Sequence, residues 1–180
     1  TIIGVTLGSV CAQNATASKA ILLVCDTFQT FPSFIYLIPV IMLFGVTDTS
    51  VLIAVVVYAT IPATRYTVEG LRSVPESLQD AGSMCGVNRA QRWLTIELPL
   101  AFPHMMLGIN QTVVFALFMV IIGAMIGTDD LGQFILKALS DKNGTGNGLT
   151  LGLCVAFLGL AVDQVIRNWA NQRKQALGLA

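Results

Sequence analysis

The chain has 180 residues, of which 54% are hydrophobic and only 11% charged, with a net charge of zero and a mean hydropathy of +0.74. A soluble domain carries roughly a quarter charged residues, so this composition excludes a water-borne domain, and the balanced charge gives no pull toward nucleic acid. The charges are clumped and leave uncharged runs at 1–18, 27–47, 49–64, 98–128 and 143–162. Each is close to the roughly 20 residues that one helix needs to cross a bilayer. Backbone groups cannot go unpaired in lipid, and the alternation of a membrane barrel is absent, so the runs predict an all-α, multi-pass membrane protein with about five spanning helices.

In chain order, a first helix is expected from Ile2 to Ala15, with Gly4 and Gly8 at a spacing that lets another helix approach closely. The chain opens at Thr1 with no initiator Met and no basic leader, and its apolar run is already under way, so upstream N-terminal residues are expected to be missing from this single membrane domain, 1–180. The polar patch Gln13, Asn14, Thr16, Ser18 and Lys19 marks an interface, and Ala20 to Phe31 predicts a short helix near it. Pro32 and Pro39 are expected to bend or restart the next helix. The second crossing is read at 33–46 and the third from Val51 to Tyr66, with Pro62 near its inner end. A fourth begins after Pro99, carries Pro103, His104, Asn110 and Gln111, and closes at Gly127. An outer segment with Leu131, Gly132 and Gln133, then a loose stretch at 143–148, leads to the last crossing at 149–165. Near its inner end Asp163 and Arg167 are one turn apart, as in a structural ion pair.

Charge placement sets the topology. With the charged island between the third and fourth crossings on the cytoplasmic side, Lys19, Arg65, Arg72, Arg89, Arg92, Arg167, Arg173 and Lys174 lie inside, and only Lys137 and Lys142 outside. Cys11, Cys25, Cys85 and Cys154 are scattered without zinc or redox spacing and read as small buried thiols. There is no repeat, paired-carboxylate site, Ser/His/Asp set, metal cluster or phosphate-binding glycine loop, so no catalytic or metal residue is assigned.

The island itself, Arg65 to Glu97, is patterned. Ser73-Val-Pro-Glu76 has the form of a capping box and predicts a helix start. Gly86 suits a left-handed helix end, and Asn88-Arg-Ala-Gln91 can cap a second short helix running to Pro99. Two short amphipathic helices on the inner face make either a docking knob or a loop lying on the lipid headgroups.

The run Asp80-Ala81-Gly82, with Gly86 and then Ile96, Leu98 and Pro99, resembles the E-A-A-x3-G-x9-I-x-L-P loop of permease subunits of ATP-binding cassette importers. Asp80 stands where glutamate is usual, and Gly82 where alanine is usual. Further stretches narrow the resemblance to permeases for glycine betaine, proline betaine, choline and related osmolytes: Phe28-Gln-Thr-Phe-Pro-Ser-Phe-Ile-Tyr-Leu-Ile-Pro39, Met42-Leu-Phe-Gly45, Val74-Pro-Glu76, Leu98-Pro-Leu-Ala101, Gly108-Ile-Asn-Gln-Thr112 and Leu131-Gly-Gln133.

The resemblance implies the type I importer permease fold in a bacterial inner membrane, with residues 67–98 as a cytoplasmic coupling loop. Its implied partners are a second permease copy, two cytoplasmic ATPase subunits that supply ATP and Mg chemistry, and an extracytoplasmic binding protein. This chain would hold no cofactor. Asp80, Ala81, Gly82, Gly86, Ile96, Leu98 and Pro99 would couple the ATPase to the crossings. Gly82 and Gly86 would allow close backbone contact there.

For the substrate path the candidates are Asn110, Gln111 and Thr112, polar residues at membrane depth, although interhelical hydrogen bonding would place them there equally well. His104, nearer the inner face, fits a solvated or capping role as well as a gate. A quaternary ammonium ion is best held by aromatic faces, which adds Phe28, Phe31, Phe34 and Tyr36, residues that also serve as lipid anchors. The rival reading is a gradient-driven secondary transporter or channel, which would want acids or bases in the central parts of the crossings, where the sequence is read as placing none.

Overall fold

The computed structural model describes residues 1–127, 131–141 and 145–176, and every regular element among them is helical. The first is α1 (Ile2–Ala12), and its glycines face α4 (Asp48–Arg72). A Cβ on Gly4 would lie 2.6 Å from the Ala63 Cβ, and one on Gly8 2.8 Å from the Thr64 carbonyl oxygen. On the α4 side the contact is made by Thr60, Ala63, Thr64 and Thr67. The threonine hydroxyls donate to carbonyls of their own helix, Thr64 to Thr60 at 3.0 Å and Thr67 to Ala63 at 2.7 Å, so the seam is close without leaving a polar atom bare.

α1 turns into α2 (Ala15–Thr30) through the polar patch. Asn14 caps α2 by accepting from the Thr16 N–H at 3.0 Å, and the buried Ser18 hydroxyl bonds the Cys11 and Asn14 carbonyls, each at 2.9 Å. The patch is therefore a helix start, and α2 begins ahead of Ala20, because a side-chain cap satisfies the donors that the first turn leaves open.

α2 meets α3 (Phe34–Phe44) at 88°. Phe31 is extended (ψ 138°), the conformation that a following proline imposes, and the Tyr36 hydroxyl donates to the Phe28 carbonyl across the corner. Pro32 makes the bend. Pro39 lies inside α3 without ending it.

α4 continues to Arg72, well past the expected stop at Tyr66. The charges Arg65 and Glu69 are half-buried, with Arg65 turned toward α2, while buried Ala63, Thr64, Thr67, Val68 and Leu71 carry the inward stripe through the charged region at helical spacing. α4 packs along α7 (Leu98–Ala124), again through glycines: a Cβ on Gly108 would lie 2.7 Å from the Tyr66 Cβ, and one on Gly70 2.8 Å from the His104 Cβ.

Beyond Gly127, at φ 97°, α8 (Leu131–Ser140) folds back on α7, where a Cβ on Gly132 would lie 2.5 Å from that of Ala124. The expected outer segment is thus a helix in its own right. The last helix, α9 (Thr145–Ala176), is longer at both ends than the expected 149–165. It runs antiparallel to α7. Gly159 lies against Leu117, Asp163 against Asn110, and Trp169 against Phe102. Thr128, at the end of the fourth apolar run, and Lys142 and Asn143 lie outside the described residues.

Among the described residues each apolar run is mostly helix, but three helices, or four with the bent pair, are long and apolar enough to span, against the five or so expected. The helices 48–72, 89–124 and 146–175 are long and apolar enough to span alone, the bent α2–α3 pair would make a fourth span, and α1 is an apolar helix of 11 residues. Buried side chains form two clusters, Tyr36, Leu37, Val51, Ala54 and Met119 toward the outer end, and Leu71, Val74, Ala101 and Met105 toward the inner end. Of the four free thiols only Cys25 is buried. Cys85 and Cys154 are exposed, because α5 (Glu76–Met84) and α9 each turn a face away from the rest of the chain.

Gly8→Leu is expected to destabilise the fold by about 1–3 kcal/mol through overpacking against Thr64 and Thr67. Gly152→Leu, whose Cβ would meet nothing within 4 Å, should leave the unfolding midpoint in detergent unchanged.

Candidate functional site

The charged island folds into a hairpin at the inner end of α4 and α7. The Ser73–Glu76 capping box does not form. Ser73 instead forms the C-cap of α4 (φ −78°, ψ −8°), and its hydroxyl donates to the Gly70 carbonyl at 2.8 Å. α5 starts instead from Pro75 (φ −56°, ψ 133°), and the Gln79 side chain donates back to the Val74 carbonyl at 3.2 Å.

Gly86, at φ 77°, ends α5 as expected, with the Val87 N–H donating to the Gly82 carbonyl at 3.2 Å. The second capping box is present: the Asn88 side chain accepts from the Gln91 N–H at 2.8 Å and the Gln91 side chain from the Asn88 N–H at 3.0 Å. It opens α6 (Arg89–Arg92). The helix does not stop at Pro99. A π-turn, Trp93–Glu97, carries it into α7, so residues 89–124 form one rod. The wider turn absorbs Pro99, which has no N–H to give and whose ring would crowd the Thr95 carbonyl in a regular α-turn.

The motif residues divide into two groups. Asp80, Ala81 and Gly86 are exposed on the knob, together with Met84. Gly82 is buried and faces inward: a Cβ there would lie 2.6 Å from Ile96 Cδ1, so its missing side chain lets α5 close on the π-turn. Ile96 and Pro99 line an apolar groove with Leu78 and Cys85, and Leu98 packs on the inner cluster. Arg92 adds a polar tie, its Nε donating to Glu97 at 3.0 Å and its guanidinium reaching the Ser83 hydroxyl at 3.2 Å. The knob is thus clamped to the rod by Gly82–Ile96 and Ser83–Arg92–Glu97.

The pathway candidates do not come together. Thr112 is buried with its hydroxyl on the Gly108 carbonyl at 2.8 Å, and Gln111 is half-buried on a neighbouring face. Asn110 is 5% exposed and donates from Nδ2 to Asp163 Oδ1 at 2.6 Å, tying α7 to α9. Asp163 Oδ2 accepts from Arg167 Nε at 2.7 Å. The Asp163–Arg167 pair stands as its spacing implied. Its depth is corrected, because Asn110 lies at about the middle of α7. Asp163 therefore sits at mid-depth on the α7 scale, and the crossings do carry a central acid. Exposed His104 packs its Cβ on Gly70.

Of the aromatics, Phe28, Phe31 and Phe34 are partly exposed, whereas Tyr36 is buried and bonded across the α2–α3 corner. Tyr36 begins a line that sequence spacing did not reveal, its ring tilted against Tyr58 at 5.0 Å and Tyr58 in turn stacked on Phe115 at 4.8 Å, so α3, α4 and α7 share one aromatic seam. A second unforeseen cluster joins α2 to α4: Arg65 bonds Glu69 at 2.9 Å, Asp26 at 3.0 Å and the Gln29 side-chain oxygen at 2.7 Å. Only the Arg65–Glu69 spacing signalled any of it. Among the described residues no group of three His, Cys, Asp or Glu is placed to hold a metal ion.

The pattern of binding-protein-dependent transport system inner membrane components matches residues 4–174. The chain is 73% identical to the trimethylamine N-oxide transport system permease protein of Pelagibacter ubique and 48% identical to that of Ruegeria pomeroyi, matching 99% of its own length in both cases. It is 34% identical over 91% of its length to the glycine betaine/proline betaine transport system permease protein of Escherichia coli. It spans only about a quarter of the two trimethylamine N-oxide relatives (25% and 27%) and 46% of the E. coli protein.

Gly86→Val is expected to cost about 1–2 kcal/mol locally, since its φ of 77° is unfavourable for a branched side chain although nothing crowds the site. Gly86→Asn should cost less. Faster amide exchange at 84–89 in the valine variant, with the rest of the chain unchanged, is the measurement.

Proposed function

This chain belongs to the family of binding-protein-dependent transport system inner membrane components, and from that premise we propose that it is the membrane-spanning segment of an ATP-driven importer of small methylated-ammonium osmolytes. The observation that carries the proposal is the clamped hairpin. A partner that grips Asp80, Ala81 and Gly86 from the cytoplasm pulls on α5, and α5 is fixed to a rod that runs from Arg89 to Ala124. Movement at the surface is therefore delivered to the level of Asn110 without a flexible joint between.

In this reading two cytoplasmic ATPase subunits bind ATP and Mg, and the closing of their nucleotide sites draws the hairpins of two permease copies together. The α7 rods then rock, and access alternates from the outside to the inside. An extracytoplasmic binding protein captures and delivers the cargo, and the permease makes weaker contacts so that cargo can leave. Hydrolysis is supplied in trans. The trimethylamine N-oxide and glycine betaine named for the relatives make N-oxide or betaine osmolytes the first substrates to try. Exposed Phe28, Phe31 and Phe34 at the α2–α3 corner are the aromatic faces open to a methylated ammonium group, since Tyr36 is engaged in the corner itself.

Asp80→Lys and Gly86→Trp, made in the complete transporter, are expected to leave membrane insertion intact while abolishing osmolyte uptake and the substrate-stimulated part of ATP hydrolysis. Normal uptake by either variant in proteoliposomes would overturn the role of the hairpin.

A further inference from the structure

Asn110, Asp163 and Arg167 form a relay across the α7–α9 seam. Asn110 is almost wholly buried and spends its donor on Asp163 Oδ1. Its own Oδ1 is buried with no partner, which a residue serving only to brace two helices would avoid. Asp163, with its side chain 19% exposed, uses its second oxygen to hold Arg167 Nε. Arg167 remains 55% exposed, so part of its donor fork is open on the face that α9 turns away from the chain.

A guanidinium at this depth is costly against lipid, and such groups face the protein interior or a water-filled cavity. The face of α9 that carries it is therefore not a lipid face. A fork whose Nε is fixed by a carboxylate, and whose carboxylate is fixed in turn by a buried amide, is preorganised to receive a compact anionic oxygen.

We propose that Arg167 is a specificity-determining contact of the translocation path, receiving the anionic oxygen of an N-oxide or a betaine carboxylate, with Asp163 and Asn110 as its positioning residues. The proposal rests on the transport reading above and deepens it. It explains how a path accepts a methylated ammonium group by apolar and aromatic contact, yet distinguishes osmolytes that carry a negative oxygen from simple cations. Asp163 leaves the guanidinium paired, so the site attracts a dipolar molecule without trapping an anion.

The test uses the complete transporter in proteoliposomes, with labelled trimethylamine N-oxide and glycine betaine. Arg167→Gln is expected to lower uptake of both by at least about tenfold, the loss of a charge-assisted contact, in a complex that still assembles. Arg167→Lys should be intermediate. The swapped pair Asp163→Arg with Arg167→Asp should stay as low as Arg167→Gln, whereas restored uptake would show that the residues form only an ion pair and would overturn the proposal. Wild-type uptake by Arg167→Gln would do the same.

A second measurement does not depend on turnover or on any variant folding. Phenylglyoxal modification of Arg167 in the wild-type complex, followed by mass spectrometry, should be slowed by either osmolyte and not by tetramethylammonium. Equal rates with and without osmolyte would overturn the assignment. A wild-type complex that takes up none of these compounds with ATP would remove the transport reading, and the modification assay would then still decide the site.

Discussion

The close approach of α4 to its neighbours is the constraint on which the rest of the chain depends. In lipid there is little hydrophobic drive to bring helices together, so association relies on short-range contact. Here that contact is made by absent side chains: Gly4 and Gly8 of α1 against α4, Gly70 of α4 against α7, and Gly108 of α7 against Tyr66. Threonines complete the first seam because their hydroxyls return to their own backbone. With α4 held between α1 and α7, the hairpin at the inner end has two fixed roots, and the polar seam with α9 has a fixed partner.

Upon that frame the π-turn decides how the hairpin is joined to α7. A regular α-helix would have met Pro99 with a lost hydrogen bond and a steric conflict, and a break there would have left a hinge between knob and crossing. The π-turn keeps the rod continuous at the cost of one wider turn. Gly82 under Ile96 and Ser83 on Arg92 then couple α5 to that rod through both packing and hydrogen bonding. Asp80, Ala81 and Gly86 stay exposed on the knob, while Gly82, Ile96 and Leu98 of the same motif are packed against the rod and the inner cluster.

Two groups of polar side chains have been drawn into specific contacts between helices. Arg65 joins α2 to α4 through Asp26, Gln29 and Glu69, and Asn110 joins α7 to α9 through Asp163. Asp163 answers the expectation that the crossings carry no central acid. It is central, yet bonded to Asn110 and Arg167, which separates it from the free protonatable acid that a gradient-driven transporter would use.

Composition and charge clumping were enough to establish an all-helical membrane chain, because no other secondary structure satisfies the backbone in lipid once the barrel pattern is absent. The spacing Asp80, Gly86, Ile96, Pro99 marked the hairpin, and Gly86 and the Asn88–Gln91 box were legible because left-handed glycine and side-chain capping are local effects. Ser73 shows where local reading stops, since its hydroxyl could accept from N–H groups at the start of α5 or donate to the last carbonyls of α4, and the continuing burial of Leu71 and Val74 kept it with α4. Helix ends at Arg72 and Ala176 were hidden because charged residues on an exposed face interrupt hydropathy without interrupting a helix. Tertiary structure alone decided that Gly82 faces Ile96 and that Tyr36, Tyr58 and Phe115 form one seam. It alone set Asp163 beside Asn110, because those pairs are far apart in sequence and only the antiparallel packing of α7 and α9 sets their common depth.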